Sequence, residues 1–227
     1  MEETASREVM WNISHSLTWV MYLLFLAALG FCVYFLVKRW RLMSIGTPVD
    51  RTSNWKARAK GMIVDALLQL RVLKKPGAGI MHLGMYVGMI IMLIATAVTA
   101  AQFDLGIQLL YGDFYLYFMS LVVDLAGLAF CIAMVACIIR RIVNKKLDTK
   151  PGDIIVLVLL LVIGMSGFVV EGLRIVGTDD PWRAWSPIGN MVSMLFVNFS
   201  QDQIQLTHQI IWWSHMGMAF ALIAYWM

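Results

Sequence analysis

Five long apolar runs, cut apart by loops of alternating charge, constrain this chain more than any other feature of it. They fall at about 14–37, 79–103, 114–139, 153–176 and 205–227. Each has at least 20 residues, enough at 1.5 Å per residue to cross a hydrocarbon core of about 30 Å. Lipid offers no water to backbone N–H and C=O groups, so such runs must fold as helices. The expected fold is an all-α integral membrane protein, a bundle of five transmembrane helices. A chain that is 60% hydrophobic and 14% charged, with mean hydropathy +0.75, is not a soluble domain. A sixth apolar stretch, 188–199, is too short to span and is expected as an interfacial or re-entrant helix.

The charges orient this bundle. Ten Lys and Arg residues lie in the loop 38–78, and Arg140, Arg141, Lys145, Lys146 and Lys150 lie in the loop 140–152. Five spans put both loops on one side. The other loops carry Asp104, Asp113, Asp179, Asp180 and Asp202, with Arg183 as their basic residue. The positive-inside rule places the N-terminus outside and the C-terminus in the cytoplasm. Within the first basic loop, 54–75 sets Met62, Ile63, Ala66, Leu67, Leu70 and Leu73 against Lys56, Arg58, Lys60 and Arg71. This reads as an amphipathic helix on the inner surface, serving either as a lipid anchor or as a docking face for a cytoplasmic redox partner. The basic charge is thus assigned to membrane lipid and partner, with no nucleic acid involved. Met1-Glu2-Glu3 lacks the basic start of a cleaved signal peptide. The fifth run ends at Ala224-Tyr225-Trp226-Met227 with no basic stop, so the polypeptide is expected to continue beyond 227.

All four histidines, His15, His82, His208 and His215, lie at or inside these runs. An imidazole in lipid is costly and faces the protein interior by default. Histidines on the inner faces of a small helical bundle are what holds haem iron between helices. His82 sits near the inner end of span two, and His215 lies within about 8 Å of its depth. His208 and His215 are seven residues apart, close to two turns, and point from one side of span five. His15 and His208 are both near the outside, so an inner and an outer haem fit this layout. The alternatives are structural: His15 as an interfacial residue, and His208 as a hydrogen-bond donor to quinone or a proton group. Gly84, Gly88, Gly164 and Gly167 offer close approach where a porphyrin packs. Cys32, Cys131 and Cys137 form no C-x-x-C or C-x-x-C-H motif, so no iron–sulfur cluster and no covalent haem are expected within 1–227.

Three charges also fall well inside the runs, beyond Asp153 at the start of the fourth. Asp124 lies near mid-membrane, where a lone carboxylate is paired or functional. Glu171 and Arg174 are three residues apart and can pair along one helix face. Asp124, Glu171, Arg174 and Trp212 are candidates for quinone or proton chemistry, and a buried ion pair that fixes a helix end is the structural alternative.

Several blocks resemble a known family. Ile80-Met81-His82-Leu83-Gly84 with the apolar run to Ala95-Thr96, and Asp124-Leu125-Ala126-Gly127 followed by Arg140-Arg141, are similar to helices two and three of the nitrate reductase gamma subunit family of cytochromes b. Ser166-Gly167-Phe168 with Glu171-Gly172-Leu173-Arg174-Ile175 resembles the end of its fourth helix. His208-Gln209-Ile210-Ile211-Trp212-Trp213-Ser214-His215 resembles the start of its fifth. The first span, with Trp11-Asn12-Ile13, looks more like the N-terminal membrane domain of a heterodisulfide-reductase-related subgroup. There the cytochrome domain precedes ferredoxin-type and cysteine-rich cluster domains, and some members pass electrons between electron-transfer flavoprotein and menaquinone. The resemblance implies one or two haems b held by His82 and His215, a quinone substrate, an iron–sulfur partner module following residue 227, and a prokaryotic cytoplasmic membrane. It departs from the family at Met92, where the gamma subunits carry a second span-two histidine, and at a later span-five histidine that would fall beyond Met227. Met92 is therefore a candidate axial ligand, which would raise the potential.

The reading from sequence is a haem b membrane module carrying electrons between quinone and a cytoplasmic iron–sulfur or flavoprotein partner. A haem-free anchor and a proton-coupled transporter are its rivals. The transporter is disfavoured, because no internal repeat or matched pair of broken helices is present.

Overall fold

The computed structural model describes residues 4–47, 53–144 and 146–225. Met1-Glu2-Glu3, Asp50, Arg51, Lys145 and the end of the fifth run at Trp226 and Met227 lie outside the described residues. Helix α1, Thr18–Met43, is entered through the tight turn His15–Leu17. Helix α2 is Trp55–Gly61 and widens into π-type turns over Met62–Leu67; α3 is Leu70–Leu73. Helix α4 is Pro76–Leu105. Wide turns at Phe114–Val122 lead without a break into α5, Val123–Val143. Helix α6 is Pro151–Thr178, short α7 is Pro187–Ser193 with a tight turn to Phe196, and α8 is Gln201–Tyr225. Proline opens α4, α6 and α7, at the position where its missing N–H costs nothing. Gly106 closes α4 in the left-handed region (φ +65°), the usual glycine stop.

Four rods are long and apolar enough to cross a membrane: His15–Met43, Pro76–Leu105, Phe114–Val143 and Pro151–Thr178. The expected fifth, α8, has the length but not the composition. Its first turns hold Gln201, Asp202, Gln203, Gln205, His208 and Gln209. It nevertheless runs beside the whole of α6. At one end Gln201 donates to the Gly177 carbonyl (3.0 Å); at the other, a Cβ on Gly152 would lie 3.3 Å from the Tyr225 hydroxyl.

The rods pack in the order α1, α8, α6, α5, α4. At the end that carries the aspartates, here the acidic end, α1 returns to α4: the Tyr22 hydroxyl donates to Asp104, and the His15 ring stacks on Phe103 at 5.0 Å. The histidine-bearing helices pack chiefly on different partners, α4 on α5 and α8 on α6, with α1 touching both. Large apolar side chains such as Leu93, Ile132 and Ile155 point outward, a surface that lipid solvates and water would not.

The expected amphipathic helix over 54–75 is broken. Gln69 adopts a left-handed conformation (φ +56°), and its side-chain amide bonds the Ala66 carbonyl at 2.6 Å. A polar side chain that satisfies nearby backbone competes with helix continuation. The short apolar segment expected at 188–199 is α7 with its closing turn.

The glycines expected around a porphyrin mostly serve helix contact. A Cβ on Gly88 would sit 2.8 Å from Phe130 Cβ and 2.9 Å from the Ala126 carbonyl of α5. Gly84 faces Ala133, and Gly164 faces Cys131 and Phe130; Gly167 alone of the four looks toward a histidine. Gly88→Leu should therefore force α4 off α5 and lower stability by about 1–3 kcal/mol. Gly30→Leu, with nothing within 4 Å of the new Cβ, should leave the thermal midpoint of the purified protein in detergent where it was. Equal midpoints for the two variants would refute this packing.

The N-terminal segment, which sequence left as a plain tail, is a strap across the acidic end. Ala5 is buried beside Leu110 and Tyr115, its carbonyl accepts from Gly112 N–H at 2.6 Å, and Ser6 pairs with Tyr111. Asn12 ties the strap to α8, donating to the Gln205 carbonyl (2.7 Å) and accepting from Gln209 (3.2 Å). Of the polar side chains at the start of α8, Gln209 is the one that bonds the strap.

Candidate functional site

His215 is held from behind. Its Nδ1 lies 2.9 Å from Ser166 Oγ on α6. That hydroxyl also donates its single proton to the Ile163 carbonyl at 2.9 Å, so toward His215 it can only accept. With the hydroxyl proton spent on Ile163, the Nδ1–H tautomer is the one that fits, and it turns the Nε2 lone pair to the other side of the ring. A partner on one ring nitrogen that presents the other is how proteins aim histidine at a metal. Gly167 keeps the space beside the ring open, since its Cβ would stand 3.5 Å from His215 Cε1.

His82, early in α4, makes no hydrogen bond among the described residues. Its Nδ1 is buried without a partner, and its ring lies nearly parallel to Tyr86 one turn on, with centroids 6.3 Å apart. Met92, the alternative ligand, packs against the Phe130, Cys131, Met134 and Phe168 cluster. His15 is exposed at the rim. Trp212 stands edge-on to Trp213 at 5.1 Å. Among the described residues no three His, Cys, Asp or Glu side chains gather to hold a metal ion. A haem asks less of the protein, one or two axial ligands.

The remaining candidates gather elsewhere, at the acidic end. Arg174 forks onto Glu171, with Nε to Oε2 at 3.2 Å and NH2 to Oε1 at 2.8 Å. Its NH2 also reaches Asp180 Oδ2 at 2.7 Å. Tyr115 donates to the same oxygen at 3.3 Å, and Trp182 N–H caps Asp180 Oδ1 at 2.8 Å. Arg7 arrives from the strap, 3.6 Å from Glu171 Oε2. Burial pulls the Arg7 pKa below its ordinary value, and Glu171 opposes that pull. His208 is only 3% exposed, with the Trp11 indole edge-on at 4.8 Å. Trp11 is seated there by left-handed Met10 and Asn12 on either side (both φ +59°) and by Gly177, where any Cβ would strike the indole.

Asp124 has a different employment. Both its oxygens accept backbone N–H groups at the start of α7, from Ile188 at 2.7 Å and Gly189 at 2.9 Å. It is a helix cap supplied from another helix. Asp124→Ala should cost about 2 kcal/mol, the upper part of the range for lost caps, and Asp124→Asn less, because one acceptor survives. Denaturation midpoints of the two variants check the order; equal midpoints would deny the cap.

Sequence reasoning missed Ser166, Arg7, Trp11, Tyr115 and Asp180 as site residues. Ser166 is 49 positions from His215, and nothing local links the two. Arg7 did carry a signal: it is basic in a tail assigned to the acidic side, the wrong sign for its position.

The chain is similar to the EtfAB:quinone oxidoreductase of Syntrophomonas wolfei subsp. wolfei, at 30% identity over 222 residues, covering 91% of this chain. The match spans 30% of that protein's length. No protein-family model matches the sequence, and no solved structure does.

Proposed function

We propose that the chain is the haem b-carrying membrane module of a quinone-linked oxidoreductase. The observation that carries this reading is the Ser166 hydroxyl on His215 Nδ1, which leaves Nε2 as the nitrogen a metal would take. His82 adds a half-buried imidazole whose Nδ1 is buried with no partner among the described residues. A buried polar group is normally satisfied, so two histidines with unused nitrogens fit a metal-centred cofactor. These two residues would hold the haem. When bound, the haem supplies reversible one-electron transfer between the two ends of the bundle. Ser166 would hold the His215 ring in place through Nδ1.

The quinone link rests on the relative, whose name states it. The redox partner is an electron-transfer flavoprotein or an iron–sulfur module of heterodisulfide-reductase type. It approaches the basic end, where Arg140, Arg141, Lys146 and the exposed segment 55–75 lie. In this reading α8 is the fifth span, with its polar start at the acidic end. The N-terminus is then outside and the basic end cytoplasmic.

The test is spectroscopic. Purified chain, reduced with dithionite, should show a b-type α band against its oxidised form, and pyridine extraction should recover protohaem. A menaquinol analogue should reduce that band without dithionite. A colourless protein would leave a haem-free anchor. A haem indifferent to quinols would sever the quinone link.

A further inference from the structure

We infer that the acidic end binds a quinone headgroup, with Arg7 Nε and His208 Nδ1 as the donors to its carbonyl oxygen. The inference rests on the quinone-linked reading above and deepens it by naming the site.

Two nitrogens carry it. Arg7 Nε and His208 Nδ1 are both buried, and neither has a hydrogen-bond partner among the described residues. Buried donors left unmade are costly and rare, and each calls for an explanation. They share a neighbour. Glu171 pairs with Arg7 at 3.6 Å, and its charge and that of Arg174 both act on the His208 ring. His208 faces Trp11 from the strap, and Arg174 and Glu171 of α6 act on it by their charges.

The charges select the ligand. Glu171 and Asp180 are already matched by Arg7 and Arg174. An anion entering here would stand uncompensated in a buried place, and a cation would meet carboxylate oxygens already in use. What is missing is a neutral oxygen acceptor. A quinone carbonyl is such a group, it dissolves in lipid, and its ring is flat. Trp11, edge-on to His208, supplies an aromatic neighbour at that point. The strap that carries Arg7 and Trp11 is tied to α8 through the Asn12 side chain and carbonyl.

The experiment uses the full chain, haem included, in lipid nanodiscs. Menadione, a tail-less naphthoquinone, is titrated and its quenching of tryptophan fluorescence gives an affinity. Arg7→Lys keeps a positive charge beside Glu171 but has no Nε–H. His208→Phe keeps a flat ring but no donor. Each should weaken binding about five- to tenfold, the worth of one hydrogen bond, with the haem spectrum unchanged. Wild-type affinity in Arg7→Lys and in His208→Phe would leave these nitrogens to water and overturn the site. Loss of the haem band in His208→Phe would make His208 an axial ligand and also overturn it. If menadione binds the wild type and both variants alike, only this site falls. If it does not bind the wild type at all, the quinone-linked reading falls with it.

Discussion

His215→Ala should abolish the b-type α band, and protohaem recovered by pyridine extraction should fall with it. The expectation follows from the ring's surroundings. Ser166 consumes Nδ1 and leaves Nε2 with nothing to do, and alanine removes the nitrogen without disturbing the serine–carbonyl bond behind it. Ser166→Ala is the sharper variant. It leaves His215 in place but frees the ring to change tautomer, and losing such a supporting bond typically costs 10–100-fold in metal affinity. Haem content at limiting haem should therefore drop while the band keeps its shape. His82→Ala should also lose the band. Met92→Leu should not, because that side chain already packs into the Phe130–Phe168 cluster. Circular dichroism in the same detergent separates haem loss from unfolding. Full haem content in both histidine variants would move the ligands elsewhere, and a lost band in Met92→Leu would make the methionine one of them.

What sequence could say about this fold depended on how local the cause was. The four apolar rods were legible because lipid burial is written into every turn of a spanning helix. The loop charges were legible for the same reason. Helix α8 was read as a fifth apolar span, but its first turns are polar, and one of those side chains, Gln209, bonds the strap nearly 200 positions away in the chain. Asp124 looked like a bare carboxylate in the membrane, because a cap donated to α7 leaves no mark within its own helix. The pair Glu171–Arg174 was readable from its spacing of three. The two groups that complete it, Arg7 and Asp180, come from segments that read as tail and loop. His82 and His215 stood out as costly residues in apolar runs, but the serine that orients one of them did not.

Arg174→Leu should destabilise the protein by about 3–5 kcal/mol, the usual consequence of removing one partner of a buried pair. The side chain of Arg174 is 6% exposed and that of Asp180 5%. One guanidinium serves both Asp180 and Glu171, so its loss strands two carboxylates at once. Arg7 can answer only for Glu171, at a longer 3.6 Å. Arg174→Lys should fall between, since a lysine ammonium restores charge but cannot fork onto Glu171 while reaching Asp180. Glu171→Gln should cost less than Arg174→Leu, because it removes one negative charge and leaves Arg174 with Asp180. Added to Arg174→Leu, it should recover part of the loss by removing a stranded charge. Denaturation of the four variants in one detergent gives the order, and the sign of the Glu171–Arg174 coupling decides the matter. An Arg174→Leu protein within 1 kcal/mol of wild type would mean that water reaches these carboxylates, and that the strap does not seal the acidic end.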